Sequence, residues 1–206
     1  MRHDDLIFEK RIFNEDNMET IKIFYDVDPD NPRQWSNYGE IVLPDNVYYE
    51  IYDTQMDQCD FTQFLDDEEA LEGKFRVILA LCADDYGSLE LSTKPFMSGE
   101  FLHNNQIGII GASYKNIKMM NGDAEITDEK LYEYLQGEIK VLNAYLSGKV
   151  YAYDYEQVNF KGEVITSDSC CGFYSIEDMS EYLTDNIMDI LKKEIYNYDS
   201  YQFKNN

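Results

Sequence analysis

The sequence predicts an α+β fold, with a mixed or antiparallel sheet and about three helices packed against it. Three observations carry this. Five short segments are enriched in β-branched and aromatic residues, three others carry helical periodicity with start signals, and the two kinds do not alternate as regular βαβ units. The predicted strands are 20–27 (TIKIFYDV), 47–52 (VYYEIY), 75–82 (FRVILALC), 107–113 (IGIIGAS) and 149–158 (KVYAYDYEQV). In the last of these, period-2 alternation sets Tyr151, Tyr153 and Tyr155 on the face opposite Val150, Ala152 and Asp154.

The clearest predicted helix starts after Thr127, an N-cap residue followed by Asp128 and Glu129 where the helix dipole favours acids. It places Leu131, Leu135, Ile139, Leu142 and Leu146 on one stripe, and Ser147-Gly148 ends it. A second opens at Ser175-Ile-Glu-Asp178, a capping-box pattern with Asp in place of Glu, and runs through Met179, Leu183, Ile187, Ile190 and Leu191 to about Tyr196. A third, from about Phe61 to Glu72, is short and acidic. No repeat, Gly/Ser linker or low-complexity block divides the 206 residues, so residues 1–206 are expected to form a single domain. About 15 residues at the N-terminus and about 8 at the C-terminus are expected to be mobile.

Charge is the outlying property of the chain. Its 41 acids and 17 bases give a net charge of -24, against a magnitude of roughly 2 to 8 for an ordinary small domain. A field of this sign repels nucleic acid and anionic membrane surfaces and attracts basic proteins. The acids are also concentrated. From Gln34 to Gly73 the chain carries Glu40, Asp45, Glu50, Asp53, Asp57, Asp60, Asp66, Asp67, Glu68, Glu69 and Glu72, with no Lys or Arg. Such a run is either a solvated face or a surface imitating the phosphate backbone; halophilic adaptation is disfavoured by the abundant Ile, Tyr and Phe. The candidate partner-binding residues are Asp45, Glu50, Asp53, Asp57, Asp60, Asp66, Asp67, Glu68, Glu69 and Glu72.

Other chemistries find little support. Asp26, Asp28 and Asp30 match the first three ligand positions of a calcium loop, but Asn31 stands where its glycine belongs and Asn37 where its bidentate Glu belongs. The two histidines, His3 and His103, are too few for a zinc site. Cys170 or Cys171 with His103 lacks a nucleophile signature, so the four cysteines read as reduced, buried small hydrophobes. The glycines of IGIIGAS lack phosphate-loop spacing, and with 41 acids any carboxylate pair for glycoside hydrolysis is unspecific. No catalytic residue, metal ligand or cofactor is expected. The N-terminal MRHDDLIFEK has no signal-like apolar run and no segment approaches a membrane span, which points to the cytoplasm.

Residues 25–42, YDVDPDNPRQWSNYGEIV, contain a turn-rich motif. Asp28-Pro29 and Asn31-Pro32 favour turns, Arg33 and Trp35 are suited to stack or pair with nearby carboxylates, and Asn37 and Gly39 suit positive φ. Asn31, Pro32, Arg33, Trp35, Asn37 and Gly39 are therefore expected to have a structural role. NPRQWSNYGEIV, together with ALCADDYGSLELSTKPF, NNQIGIIGAS, EIKVLNAYLSGKVYAYDYE and DSCCGFYS in that order, resembles a family of small proteins of phages, plasmids and conjugative elements that has no assigned reaction. The likeness spans about residues 20 to 180. The chain departs from the family's His-Ser-Gly at Asp85-Tyr86-Gly87, from its Trp-Asp-Ser-Gly-Gln-Val-Gly at His103-Asn-Asn-Gln-Ile-Gly108, and from its Cys-Trp-Gly-Phe-Tyr-Gly at Cys170–Ser175. The resemblance implies a mobile-element accessory protein in a host bacterial cell.

The expected function is inhibition of a host defence nuclease, CRISPR or restriction, by DNA mimicry at a basic groove. The expected partner is a basic nucleic-acid-binding host protein or complex, with no direct nucleic acid and no membrane, and a homodimer is possible on this sequence. The alternatives are a carboxylate/Mg²⁺-dependent hydrolase of a small nucleotide or signal, and a non-enzymatic phage regulatory protein.

Overall fold

A computed structural model describes residues 6–84, 89–94, 97–98, 101–102, 105–185 and 187–193. The chain gathers into two compact units: residues 1–30 with 148–206, and residues 31–147. The second unit is inserted at Asp30-Asn31 and left at Ser147-Gly148. No Gly/Ser linker marks either point, because one falls inside a turn motif and the other is simply a helix end.

In the first unit, β1 (Leu6–Phe13), β2 (Asn17–Tyr25), β10 (Tyr151–Asn159) and β11 (Val164–Phe173) form an antiparallel sheet in the order β1-β2-β10-β11. One face buries Ile21, Ile23, Tyr151, Tyr153 and Phe173 against Ile176, Met179, Leu183, Ile187, Met188 and Leu191. The tyrosine face of β10 thus points to the core, as period-2 alternation demands. β1 lies within the N-terminal stretch expected to be mobile, whereas residues 1–5 and 199–206 lie outside the described residues. The capping pair forms, with Asp178 Oδ2 accepting from Ser175 N at 3.0 Å and Ser175 Oγ accepting from Asp178 N at 3.3 Å. It does not open one long helix, however. A 3-10 turn, Glu177–Glu181, ends at Tyr182, and helix resumes at Asp185, after Thr184, and continues over 187–193; residues 186 and 194–196 lie outside the described residues.

In the second unit, β3 (Gly39–Pro44), β4 (Thr54–Met56), β5 (Phe75–Asp84), β6 (Glu90–Ser92) and β9 (Gln106–Ser113) form a mixed sheet in the order β4-β3-β9-β5-β6, with only β3 and β4 parallel. A separate two-stranded ribbon pairs β7 (Met97–Ser98) with β8 (Phe101–Leu102). Helices cover both faces of the mixed sheet. The stripe of α4 (Asp128–Leu146) buries Leu131, Leu135, Ile139 and Leu142 against Ile41, Leu43, Val77, Leu81 and Ile110. α1 (Gln58–Asp66) and α2 (Glu68–Lys74) place Phe61, Phe64, Leu65 and Leu71 against Val42, Phe75 and Ile109 on the other face. α3 (Tyr114–Asn121) follows β9, capped by the Ser113 hydroxyl. Among the described residues, no helix is long and apolar enough to cross a membrane.

Three expectations need correction here. Residues 47–52 are not a strand but the crossover from β3 to parallel β4: Ile51 is buried with Val47 and Tyr49 packed beside it, while Tyr48 is exposed. The alternation comes from an extended loop plugging the core rather than from a ladder. The third helix is broken in two, because the Asp67 carboxylate accepts from Ala70 N at 3.0 Å and starts α2 afresh. Of the cysteines only Cys82 is buried; Cys170 is half-buried, and Cys59 and Cys171 are exposed, all four as free thiols.

Gly108 is required by close approach, since a Cβ there would meet the Val42 carbonyl oxygen at 2.4 Å. Leu135 is fully buried between α4 and the sheet. Leu135→Ala is expected to cost about 2 to 5 kcal/mol in urea denaturation. A loss below about 1 kcal/mol would show that α4 does not close this core.

Candidate functional site

The NPRQWSNYG segment folds as a loop around one buried cation. Asn31 Oδ1 accepts from Arg33 N at 2.9 Å and Pro32 takes the first position of a 3-10 turn, Pro32–Gln34, where a missing N–H costs nothing. Asn37 Nδ2 donates to the Pro32 and Trp35 carbonyls at 3.0 Å each, tying the far side of the loop back. Neither Asn37 nor Gly39 has positive φ. Gly39 is needed instead because a Cβ would stand 2.6 Å from Glu138 Oε2 and 2.8 Å from Ile110 Cδ1.

The Arg33 side chain, 7% exposed, reaches three acceptors. It donates to the Gly39 carbonyl at 2.8 Å, to Glu138 Oε2 of α4 at 3.2 Å, and to Asp53 Oδ2. The two carboxylates are anchored in turn. Glu138 Oε1 accepts from Tyr38 N at 2.7 Å and Gly39 N at 3.1 Å, and Asp53 Oδ2 accepts from Ile41 N at 2.7 Å. Among the described residues, Arg33 Nε is the buried side-chain nitrogen or oxygen left without a hydrogen-bond partner. Burial pushes the Glu138 carboxyl above the ordinary carboxylate range; the Gly39 N–H and the Arg33 charge pull it down without cancelling the rise.

Trp35 stays 44% exposed and lines a cleft of about 310 Å³ with Pro32, Tyr38, Tyr134, Gly137 and Val141. The Tyr38 and Tyr134 rings stack at 4.7 Å, within 1° of parallel, and Tyr38 donates its hydroxyl to Asn121 Oδ1 at 2.5 Å. Burial, with Tyr134 and Glu138 adding to it, holds the Tyr38 phenol above its usual range.

The candidate acids divide by environment. Asp45, Glu50, Asp57, Asp60, Asp66, Asp67, Glu68, Glu69 and Glu72 are all exposed and make no ion pair among the described residues, while Asp53 is committed to Arg33. Asp57 and Asp67 cap α1 and α2, and Asp60, Glu68 and Glu69 lie in first turns, where the helix dipole favours negative charge. Asp66 ends α1 and Glu72 sits in the last turn of α2, where the same field opposes them. The bases bordering the run are paired with other acids, Arg33 with Asp53 and Lys74 with Glu40 at 2.5 Å, so neither forms an ion pair with the nine exposed acids.

In the first unit, the DSCCGFYS segment meets the DVDPD half of the turn motif. Gly172, at φ 82, donates its N–H to Asp26 Oδ2 at 3.0 Å, and the Tyr174 hydroxyl donates to the Asp30 carbonyl. Partial desolvation, with Asp26 next, raises the thiol of the exposed Cys171 above its usual range, the wrong direction for a nucleophilic thiolate. His103 and the Asp85-Tyr86-Gly87 departure lie outside the described residues. Among the described residues, no three of His, Cys, Asp and Glu converge as a metal site.

Comparison with protein-family models, with curated proteins and with solved structures finds no match.

Arg33→Ala strands two carboxylates and is expected to cost about 3 to 5 kcal/mol, more than Trp35→Ala; urea denaturation showing the reverse order would contradict the hub. The raised Glu138 carboxyl also has a pH consequence. Its linked contribution is complete while both states are protonated and is lost as pH rises from the ordinary glutamate value of about 4.3 through the folded value. The stability of wild type relative to Glu138→Gln should therefore fall with rising pH across that window; a difference that rises would reverse the assigned direction.

Proposed function

We propose that this chain is a mobile-element accessory protein acting in the cytoplasm of a host bacterium. It inhibits a defence nuclease, CRISPR or restriction, by presenting a DNA-like negative face to that enzyme's basic nucleic-acid groove. The single observation that carries this reading is the acidic stretch from Asp45 to Glu72: nine exposed carboxylates without an ion pair among the described residues, while the bordering bases Arg33 and Lys74 pair with Asp53 and Glu40 instead.

Helix ends account for five of these acids, Asp57, Asp60, Asp67, Glu68 and Glu69, without appeal to a partner. Asp66 and Glu72 are different. Each opposes the local dipole at a cost of about 0.3 to 1 kcal/mol, and Lys at either position would suit the fold better. Their placement against the dipole favours an interaction over passive solvation. A DNA-binding groove responds to field before it reads bases, so carboxylates on a folded scaffold compete for the same surface.

The test uses the Asp66→Lys/Glu72→Lys double variant, which spares both helix caps. Denaturation should show equal or greater stability than wild type. Binding to a purified CRISPR effector or restriction endonuclease should weaken at least about tenfold and become less salt-sensitive. A double variant that is more stable and binds equally well would reduce the acids to a solvated face.

A further inference from the structure

The cleft beside Trp35 has chemistry that the acidic face lacks. Its walls are the Trp35 indole, the Tyr38–Tyr134 stack, Pro32 and Val141, and its rim carries Glu133. Glu138, the other acid lining it, is engaged by Arg33 and two backbone N–H groups, whereas Glu133 pairs only with the exposed Lys130 among the described residues. Lys130, which does not itself line the cleft, shows what two of its lining residues, Tyr134 and Glu133, accept. Lys130 Nζ lies 5.2 Å over the Tyr134 ring and 2.6 Å from Glu133 Oε2, while its side chain and that of Glu133 remain 51% and 65% exposed. An ammonium held between an aromatic face and a carboxylate at a solvent-open position is weakly retained and readily displaced.

We infer that the Trp35 cleft is a socket for an arginine side chain of a basic protein partner, with Lys130 as an internal stand-in that the arginine displaces. Arginine fits better than lysine because its planar guanidinium stacks on indole and phenol faces while its edge donates two parallel bonds to a carboxylate such as Glu133. Its apolar stem would lie along Pro32 and Val141. The net charge of -24 concentrates such partners near the surface before any contact is made. The assignment rests on the basic-partner reading for the source of the arginine. The α1–α2 acids do not line this cleft, so the two sites fail separately.

The chain has one tryptophan, so Trp35 emission reports on the cleft directly. The full chain is titrated with N-acetyl-arginine amide, N-acetyl-lysine amide and the neutral isostere N-acetyl-citrulline amide at matched ionic strength. Saturable change with arginine, weaker change with lysine and none with citrulline is expected. Lys130→Met, which removes the stand-in, should tighten arginine binding by about threefold or more, and Glu133→Gln should weaken it by a similar factor. Both substitutions are at exposed positions and should leave the circular dichroism spectrum unchanged. Equal responses to arginine and citrulline, equal responses to arginine and lysine, no saturable response, or a Lys130→Met variant that binds no tighter would each overturn the assignment. The Asp66→Lys/Glu72→Lys variant should titrate as wild type does, which separates failure of this socket from failure of the acidic face.

Discussion

The second unit depends on a single buried cation. Arg33 joins three pieces of chain that are remote in sequence: its own turn, Asp53 at the end of the β3–β4 crossover, and Glu138 in the middle of α4. Each carboxylate also takes backbone donors at the start of β3, so the guanidinium fixes where the strand begins and how the helix lies on it. Burying such a charge is costly unless the pairing is nearly complete. Here two carboxylates and a carbonyl supply that pairing, and Gly39 supplies the space, since a Cβ would collide with Glu138.

The electrostatics of the outer surface follow from the same commitment. A run of forty residues without Lys or Arg has two bases at its borders, Arg33 and Lys74, and both are already paired, with Asp53 and Glu40. The stretch that follows β3 therefore reaches solvent with its acids uncompensated. Helix N-termini absorb part of that repulsion through their dipoles, which explains how Asp57, Asp60, Asp67, Glu68 and Glu69 are tolerated. They do not absorb it at Asp66 or Glu72. The fold thus concentrates negative charge on α1 and α2 while placing the aromatic cleft on the α4 side.

Local signals were legible where the physics is local. Thr127 caps α4 and Leu131, Leu135, Ile139 and Leu142 form its buried stripe because capping and 3.6-residue periodicity need only neighbours. β3 was hidden because Ile41, Val42 and Leu43 are all fully buried between helices on both faces, leaving no alternation to read. β11 was hidden for the opposite reason: it is a polar, mostly exposed edge strand, although Lys161-Gly162 before it, with Gly162 at φ 80, was a usable hairpin signal. Residues 47–52 show the converse, a strand-like composition used by an extended crossover. Arg33 was legible as a residue looking for carboxylates. Its partner Glu138, 105 positions away, was not, because nothing short-range encodes that separation.

Competition against DNA tests the central claim most directly. A fluorescent duplex bound to a purified CRISPR effector or restriction endonuclease is titrated with this chain at two salt concentrations. Mutually exclusive binding to one of these enzymes is expected, with the apparent Kd for duplex rising in proportion to the chain added and the effect weakening at higher salt. Duplex affinity unchanged for every enzyme tested, or a ternary complex in which the chain and the duplex bind together, would contradict it.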